Sequence, residues 1–284
     1  MQQISSTIPI SLEFFPPKDE EKWAAHQVVR QKLYALNPEY CSVTFGAGGS
    51  TQAGTSTLVS TIHHEGKRAA MHLSCVGAMK STISEIAKSL KADGLRHIVA
   101  LRGDIPSGYG AGGEGVSHKN KLVFFFFFVR KREIFFFFAA YPEIHPSASQ
   151  ISHKPICKHL WTKSTLGAND AITQYFFNAD AYFRFRDDAV RLGVTCPIIP
   201  GIMPIGNSSQ LLRFSDSCGA EVPRWLRLRL QSFGDDIASI KSLGLDVVST
   251  LCEQLVKGGA PALHFYTMNQ SDAVLGICKN LDLV

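Results

Sequence analysis

Short apolar runs recur along this chain, each followed by polar or glycine-rich residues and separated from the next by stretches of helical spacing. Residues 8–14 read as a first strand stopped by Pro16 and Pro17, and a helical pattern follows over about 18–36. A second strand is predicted at 40–44, a helix at 51–65, a third strand at 70–75 and a helix at 81–92. The run Ile98-Val99-Ala100-Leu101 has the unbroken apolar character of a strand buried on both faces. Further strands are predicted to end at Tyr141, Gln174, Gly201 and Tyr266. Eight strands alternating with helices, with connections long enough for parallel pairing, predict a single-domain α/β fold, a (β/α)8 TIM barrel spanning 1–284. A doubly wound sheet is the alternative.

The polar residues at the strand tips carry the chemistry. The fourth predicted strand ends in Arg102, Gly103 and Asp104, none of which suits a core. Glu13, Thr44, His72, Tyr141 with His145, Gln174 and Tyr266 fall at or just beyond the ends of the other strands, the face where barrel enzymes place their active sites. Taken singly, His72 reads as a core histidine, Thr44 as a strand residue, Gln174 as a loop cap and Tyr266 as packing; taken together they predict a site. Glu13 is followed by Phe14, Phe15, Pro16 and Pro17, apolar neighbours that predict a raised pKa and a general acid. Asp104 beside Arg102 is expected to stay ionised, so that two acids in unlike surroundings divide two tasks.

Composition narrows the function classes. At 284 residues with 45% hydrophobic, the chain can bury a large core, and a net charge of +5 without a basic, aromatic-interleaved helix argues against nucleic acid as a partner. The seven cysteines are scattered without ligand spacing, which predicts reduced thiols, a cytoplasmic setting and no metal site. Residues 1–6 lack the basic and apolar regions of a signal peptide, and no apolar run reaches the ~20 residues of a membrane span. The glycines at 46, 48 and 49 do not form GxGxxG, and no acidic residue follows at the ribose-binding place, so a Rossmann reading fails.

Several segments, in order, resemble one family: Leu12-Glu13-Phe14-Phe15-Pro16-Pro17, Val43-Thr44-Phe45-Gly46-Ala47, the stretch 97–104, the stretch 139–146, the stretch 167–174, Pro200-Gly201-Ile202-Met203-Pro204 and His264-Phe265-Tyr266-Thr267-Met268-Asn269. Together they are similar to 5,10-methylenetetrahydrofolate reductase of the short bacterial type. The resemblance implies a flavin-bearing barrel that reduces 5,10-methylenetetrahydrofolate to 5-methyltetrahydrofolate, supplying one-carbon metabolism and methionine synthesis. Its FAD would be re-reduced by NADH or NADPH. By that likeness Glu13 is the general acid and Asp104 sits near flavin and pterin. Thr44, His72, Arg102, Gly103, Tyr141 and His145 line the FAD site, Lys163 falls where a basic contact to the FAD phosphates belongs, and Gln174, Phe214 and Tyr266 serve the folate. The implied partners are these small molecules, with no membrane and with a homo-oligomer left open.

Residues 116–166 depart from the family's ordinary composition. The blocks Phe124–128 and Phe135–138, around Arg130-Lys131-Arg132-Glu133, match neither an amphipathic helix nor an ordinary strand, and the expectation is a segment whose assigned sequence is wrong. Two other classes stay open: a barrel lyase or aldolase, which would need a Schiff-base lysine or a metal that no predicted strand end supplies, and a flavin-free binding paralogue.

Overall fold

The computed structural model describes residues 8–45, 52–74, 85, 88–101, 135–143, 154–165 and 167–284. The strands are β1 (Ile10–Phe14), β2 (Cys41–Val43), β3 (Ala69–Ser74), β4 (His97–Leu101), β5 (Phe135–Ala140), β6 (Asp170–Thr173), β7 (Ile198–Ile199), β8 (Gly201–Ile202) and β9 (Leu263–Tyr266). The helices with described ends are α1 (Glu20–Tyr34), α2 (Gln52–His64), α3 (Lys154–Thr165), α4 (Ala179–Arg191), α5 (Ser208–Cys218), α6 (Arg224–Ser232), α7 (Ile237–Lys257) and α8 (Asp272–Asn280). Every strand pairing is parallel, in the order β7-β6-β5-β4-β3-β2-β1-β9-β8.

The seventh strand expected from the sequence is split at Pro200. Proline has no N–H to give a ladder, so Ile198–Ile199 pairs with β6 and Gly201–Ile202 pairs with β9. The Pro200 carbonyl still accepts from His264 N at 3.0 Å. One continuous stretch of chain therefore joins the two ends of the sheet, and the nine described strands fill the eight places of the predicted barrel.

Side-chain parity then sorts every strand into an inner and an outer face. Leu12, Phe14, Val43, Met71, Leu73, Ile98, Ala100, Phe136, Phe138, Leu263 and Phe265 belong to the large outer core under the helices. A separate cluster of Tyr40, Ala70, Val99, Phe137 and Ile172 fills the barrel interior. Tyr40 and Phe137 stack there with ring centroids 4.4 Å apart, a geometry worth about 0.5–1.5 kcal/mol beyond its buried area.

The second phenylalanine block forms strand β5. Phe136, Phe137 and Phe138 are all buried, the middle ring inward and its neighbours outward, because a parallel strand sandwiched between interior and helices is apolar on both faces. Phe135, at the lower end of β5, is 48% exposed and stacks on His97 at 4.9 Å. Phe124–128 lie outside the described residues.

Two measurements follow. The expectation of a wrong sequence covers 116–166: peptide mass spectrometry should fail to find the two phenylalanine blocks and return a mixed-polarity helix pattern, and recovery of both blocks would overturn it. At the seam, a methyl group added to Gly201 would overlap the Thr173 carbonyl oxygen and come within 2.8 Å of Tyr266 Oη. Gly201→Ala should lower the urea unfolding free energy by about 1–3 kcal/mol, the ordinary cost of overpacking.

Candidate active site

The inward positions at the carboxyl ends of β1, β2, β3 and β9 are polar, and they converge. Glu13 lies one residue before the end of β1 and is in register with Tyr266 on β9 and Ser42 on β2. Its Oε2 is 3.2 Å from His72 Nε2 on β3 and 3.5 Å from His264 Nε2 on β9. His264 is fully buried, and its Nδ1 lies 2.7 Å from Ser11 Oγ, one inward position below Glu13. With the Ser11 hydroxyl donating to Nδ1, the ring proton of His264 sits on Nε2 and faces the carboxylate. Tyr266 reaches past Gly201 at the seam, donating from Oη to the Thr173 carbonyl at 2.7 Å.

This arrangement reverses the expected pKa of Glu13. Burial does push the carboxyl upward, but the charge of His72 and hydrogen bonds from His264 and His72 outweigh it and lower the group from 4.5 to about 2. The aromatic neighbours in the sequence pointed the other way because Phe14 faces the outer core and not the carboxylate. At the mouth the site is left polar: among the described residues Ser42 Oγ and Thr44 Oγ1 are buried without a hydrogen-bond partner, and His72 Nε2 meets the Glu13 carboxylate. Buried polar groups are nearly always paired in native proteins, so unpaired ones pointing into a barrel mouth mark a place for a hydrogen-bonding ligand.

Beside this cluster a shallow, open cleft lies between the segment after β8 and the segment after β9. It is lined by Met203, Asn207, Gln210, Phe214, Thr267 and Gln270 among others, and none of its described lining residues is ionisable. A smaller cavity of about 180 Å³ holds Tyr141, Glu143, Gln174 and Tyr175. Gln174 Oε1 accepts from Tyr175 N at 3.0 Å, and Glu143 Oε2 accepts from Glu221 N at 2.6 Å. Burial raises Glu143 to about 7.

Of the residues singled out in the sequence, Glu13, Thr44, His72 and Tyr266 meet at the barrel mouth. Phe214 lines the large cleft and Gln174 and Tyr141 line the small cavity. Arg102, Gly103, Asp104 and His145 lie outside the described residues. Lys163 is not brought to the mouth: it sits in the last turn of α3, over the outward ring of Phe138 at 5.1 Å, with Nζ 3.4 Å from the Ala139 carbonyl. Its long stem packs between helix and sheet, which keeps the ammonium on the barrel's outer side. Sequence reasoning missed Ser11, Ser42 and His264. Their signal was present, since each is a polar residue on the inward parity of an otherwise apolar strand.

Comparison with known proteins gives the family. The family model for methylenetetrahydrofolate reductase matches residues 1–282. A 5,10-methylenetetrahydrofolate reductase of Buchnera aphidicola subsp. Schizaphis graminum is 38% identical over 287 residues, covering 100% of this chain and 95% of its own. The protein of that name from Escherichia coli K12 is 34% identical over 282 residues, covering 99% and 93%. Among solved structures, an uncharacterized protein from Clostridium thermocellum that binds two copies of 5-methyl-5,6,7,8-tetrahydrofolic acid superposes with a TM-score of 0.66 at 16% identity, over 97% of this chain and 94% of that one, a likeness of fold. The chain is an enzyme of the methylenetetrahydrofolate reductase family.

Proposed function

We propose that this enzyme reduces 5,10-methylenetetrahydrofolate to 5-methyltetrahydrofolate, using bound FAD and a nicotinamide dinucleotide as reductant. The observation that carries the reading is the buried Glu13 between two imidazoles, at a mouth where Ser42 and Thr44 lack hydrogen-bond partners among the described residues. That polar mouth fits the hydrogen-bonding edge of a flavin ring, with Thr44 and His72 as the contacts. Bound FAD would supply the hydride chemistry, taking hydride from the nicotinamide and giving it to the folate methylene carbon. Arg102, Gly103, Asp104, Tyr141 and His145 belong to the same proposal through the family likeness.

The protein's own part is proton handling and orientation. Before the methylene carbon can accept hydride, the five-membered ring of the folate must open: the bond from that carbon to the aryl nitrogen breaks, its electron pair stays on nitrogen, and a proton must meet it there. Glu13 is placed to deliver that proton. Because either imidazole reaches the same carboxylate oxygen, the acid is best described as a Glu13–His264 pair, with Ser11 fixing the ring's tautomer. The uncharged cleft beside it suits the p-aminobenzoyl part of the folate, with Phe214 as the aromatic face and Gln210 and Gln270 as hydrogen-bonding amides. Gln174 and Tyr266 serve the pterin side.

Stopped-flow measurement of the two half-reactions tests the reading. Flavin reduction by the nicotinamide needs no proton on the folate, whereas folate-dependent reoxidation does. Glu13→Gln should bind FAD and be bleached at a near-normal rate, yet lose ~10² to 10⁴ in reoxidation by methylenetetrahydrofolate. A protein that stays colourless after FAD addition would overturn the flavin assignment, and equal losses in both half-reactions would make Glu13 structural.

Acid titration gives a second check. Glu13 is lowered from 4.5 to about 2, so its ionised form stabilises the fold above pH 4.5, and that contribution drains away as pH falls toward 2. His26 and His97 are each lowered from 6.5 to about 4, mainly by burial, so stability from keeping them neutral is lost earlier, as pH falls from 6.5 through 4. Unfolding followed by circular dichroism should therefore weaken in two stages, and Glu13→Gln should shrink the lower one, to which Glu65 also contributes, while leaving the upper one unchanged.

A further inference from the structure

The end of β1 is held in an unusual way. On the β2 side the ladder runs on through Phe14, whose carbonyl accepts from Thr44 N at 2.9 Å. On the β9 side the last strand pair is Glu13 with Tyr266, and beyond it the chain enters Pro16-Pro17, which have no N–H to continue a ladder. The loop after β9 takes over with side chains. Thr267 gives both its N–H and its hydroxyl to the Glu13 carbonyl, at 3.2 and 2.7 Å. Asn269 then mimics a strand rung, its Oδ1 accepting from Phe15 N at 3.1 Å and its Nδ2 donating to Phe15 O at 2.8 Å. The backbone is bent to allow this: Met268 and Asn269 have φ of 52° and 54°, the left-handed region that asparagine tolerates better than most residues. Thr267 Oγ1 also accepts from Asn269 N at 3.1 Å, and Gln270 N donates to Thr267 O at 2.9 Å, so the turn is closed on itself.

We propose that Asn269 is a positioning residue for Glu13, clamping the free end of β1 so that the carboxylate stays between His72 and His264 and within reach of the folate nitrogen. The proposal rests on the reading of Glu13 as the acid. A general acid acts over a hydrogen-bond length, and displacements near 1 Å cost rate steeply. The fork of Asn269 alone spans both backbone groups of Phe15, and the adjoining Thr267, Met268 and Gln270 line the cleft assigned to the folate's aromatic part. The clamp therefore ties the proton donor to the wall that the substrate rests on.

The test is a double-mutant cycle on the FAD-loaded enzyme, with Asn269→Gly, which keeps the left-handed backbone and deletes the fork, and Asn269→Asp, which keeps the acceptor and loses the donor. Folate-dependent reoxidation should fall roughly tenfold or more in Asn269→Gly and less in Asn269→Asp, while bleaching by the nicotinamide stays within about twofold. Added to Glu13→Gln, Asn269→Gly should cost nothing further, since a residue acting through the acid has no acid left to act on. Amide hydrogen exchange should quicken at Phe15 in Asn269→Gly and leave β3 and β4 protected. Additive losses in the double mutant, equal losses in both half-reactions, or an unaffected reoxidation rate in Asn269→Gly beside a slow Glu13→Gln would each overturn the positioning role and leave the acid assignment standing. A Glu13→Gln enzyme with normal reoxidation would remove both.

Discussion

A closed ring of parallel strands leaves an interior just wide enough for side chains, and every inward residue must find its partner within that ring or in a ligand. This constraint governs the molecule. At the lower levels the ring is filled by carbon: Tyr40 on Phe137, with Ala70, Val99 and Ile172 around them. One level higher the inward residues turn polar, and Ser11, Glu13, His72 and His264 satisfy one another in part. Level with Glu13 and just above it, Ser42 and Thr44 find no hydrogen-bond partner among the described residues, so the carboxyl end of the barrel is the polar end.

The outer shell makes an instructive contrast. Arg30 on α1 has a side chain only 2% exposed, yet its guanidinium is gripped by both oxygens of Glu65 at 2.6 and 3.0 Å, with Tyr34 adding a third bond to the same carboxylate at 2.6 Å. His26 lies 2.6 Å from the guanidinium and, facing a group that can only donate, must accept through Nδ1 and stay neutral. Three bonds to one carboxylate make this network a structural device that ties α1 to the turn after α2, with His26 Nε2 left without a hydrogen-bond partner among the described residues.

Much of this was legible in the sequence because period-two alternation and strand-ending glycines and prolines are local signals. Glu13, His72 and Tyr266 could be placed at one end of the barrel from spacing alone. What could not be read was anything that depended on which strands become neighbours. Glu13 looked like a raised acid because its sequence neighbours are aromatic, but its neighbours in space are imidazoles from β3 and β9. The phenylalanines of β5 looked anomalous because strand patterns are usually judged against a solvent face, and this strand has none. Lys163, placed by family likeness at a phosphate, lies in the last turn of α3 over the ring of Phe138. His264 was overlooked because a histidine in an apolar run resembles core until its partners Ser11 and Glu13, some 250 residues away in the chain, are known.

The large cleft beside the acid has a consequence of its own. Its described walls carry carboxamides, a hydroxyl, thioethers and an aromatic ring, and no group that ionises. Attraction between fixed charges fades as dissolved ions accumulate, over a distance of about 8 Å at physiological ionic strength. Hydrogen bonds and apolar contacts do not depend on that screening. The contacts that this groove itself offers a molecule are thus nearly the same in dilute and in salty surroundings.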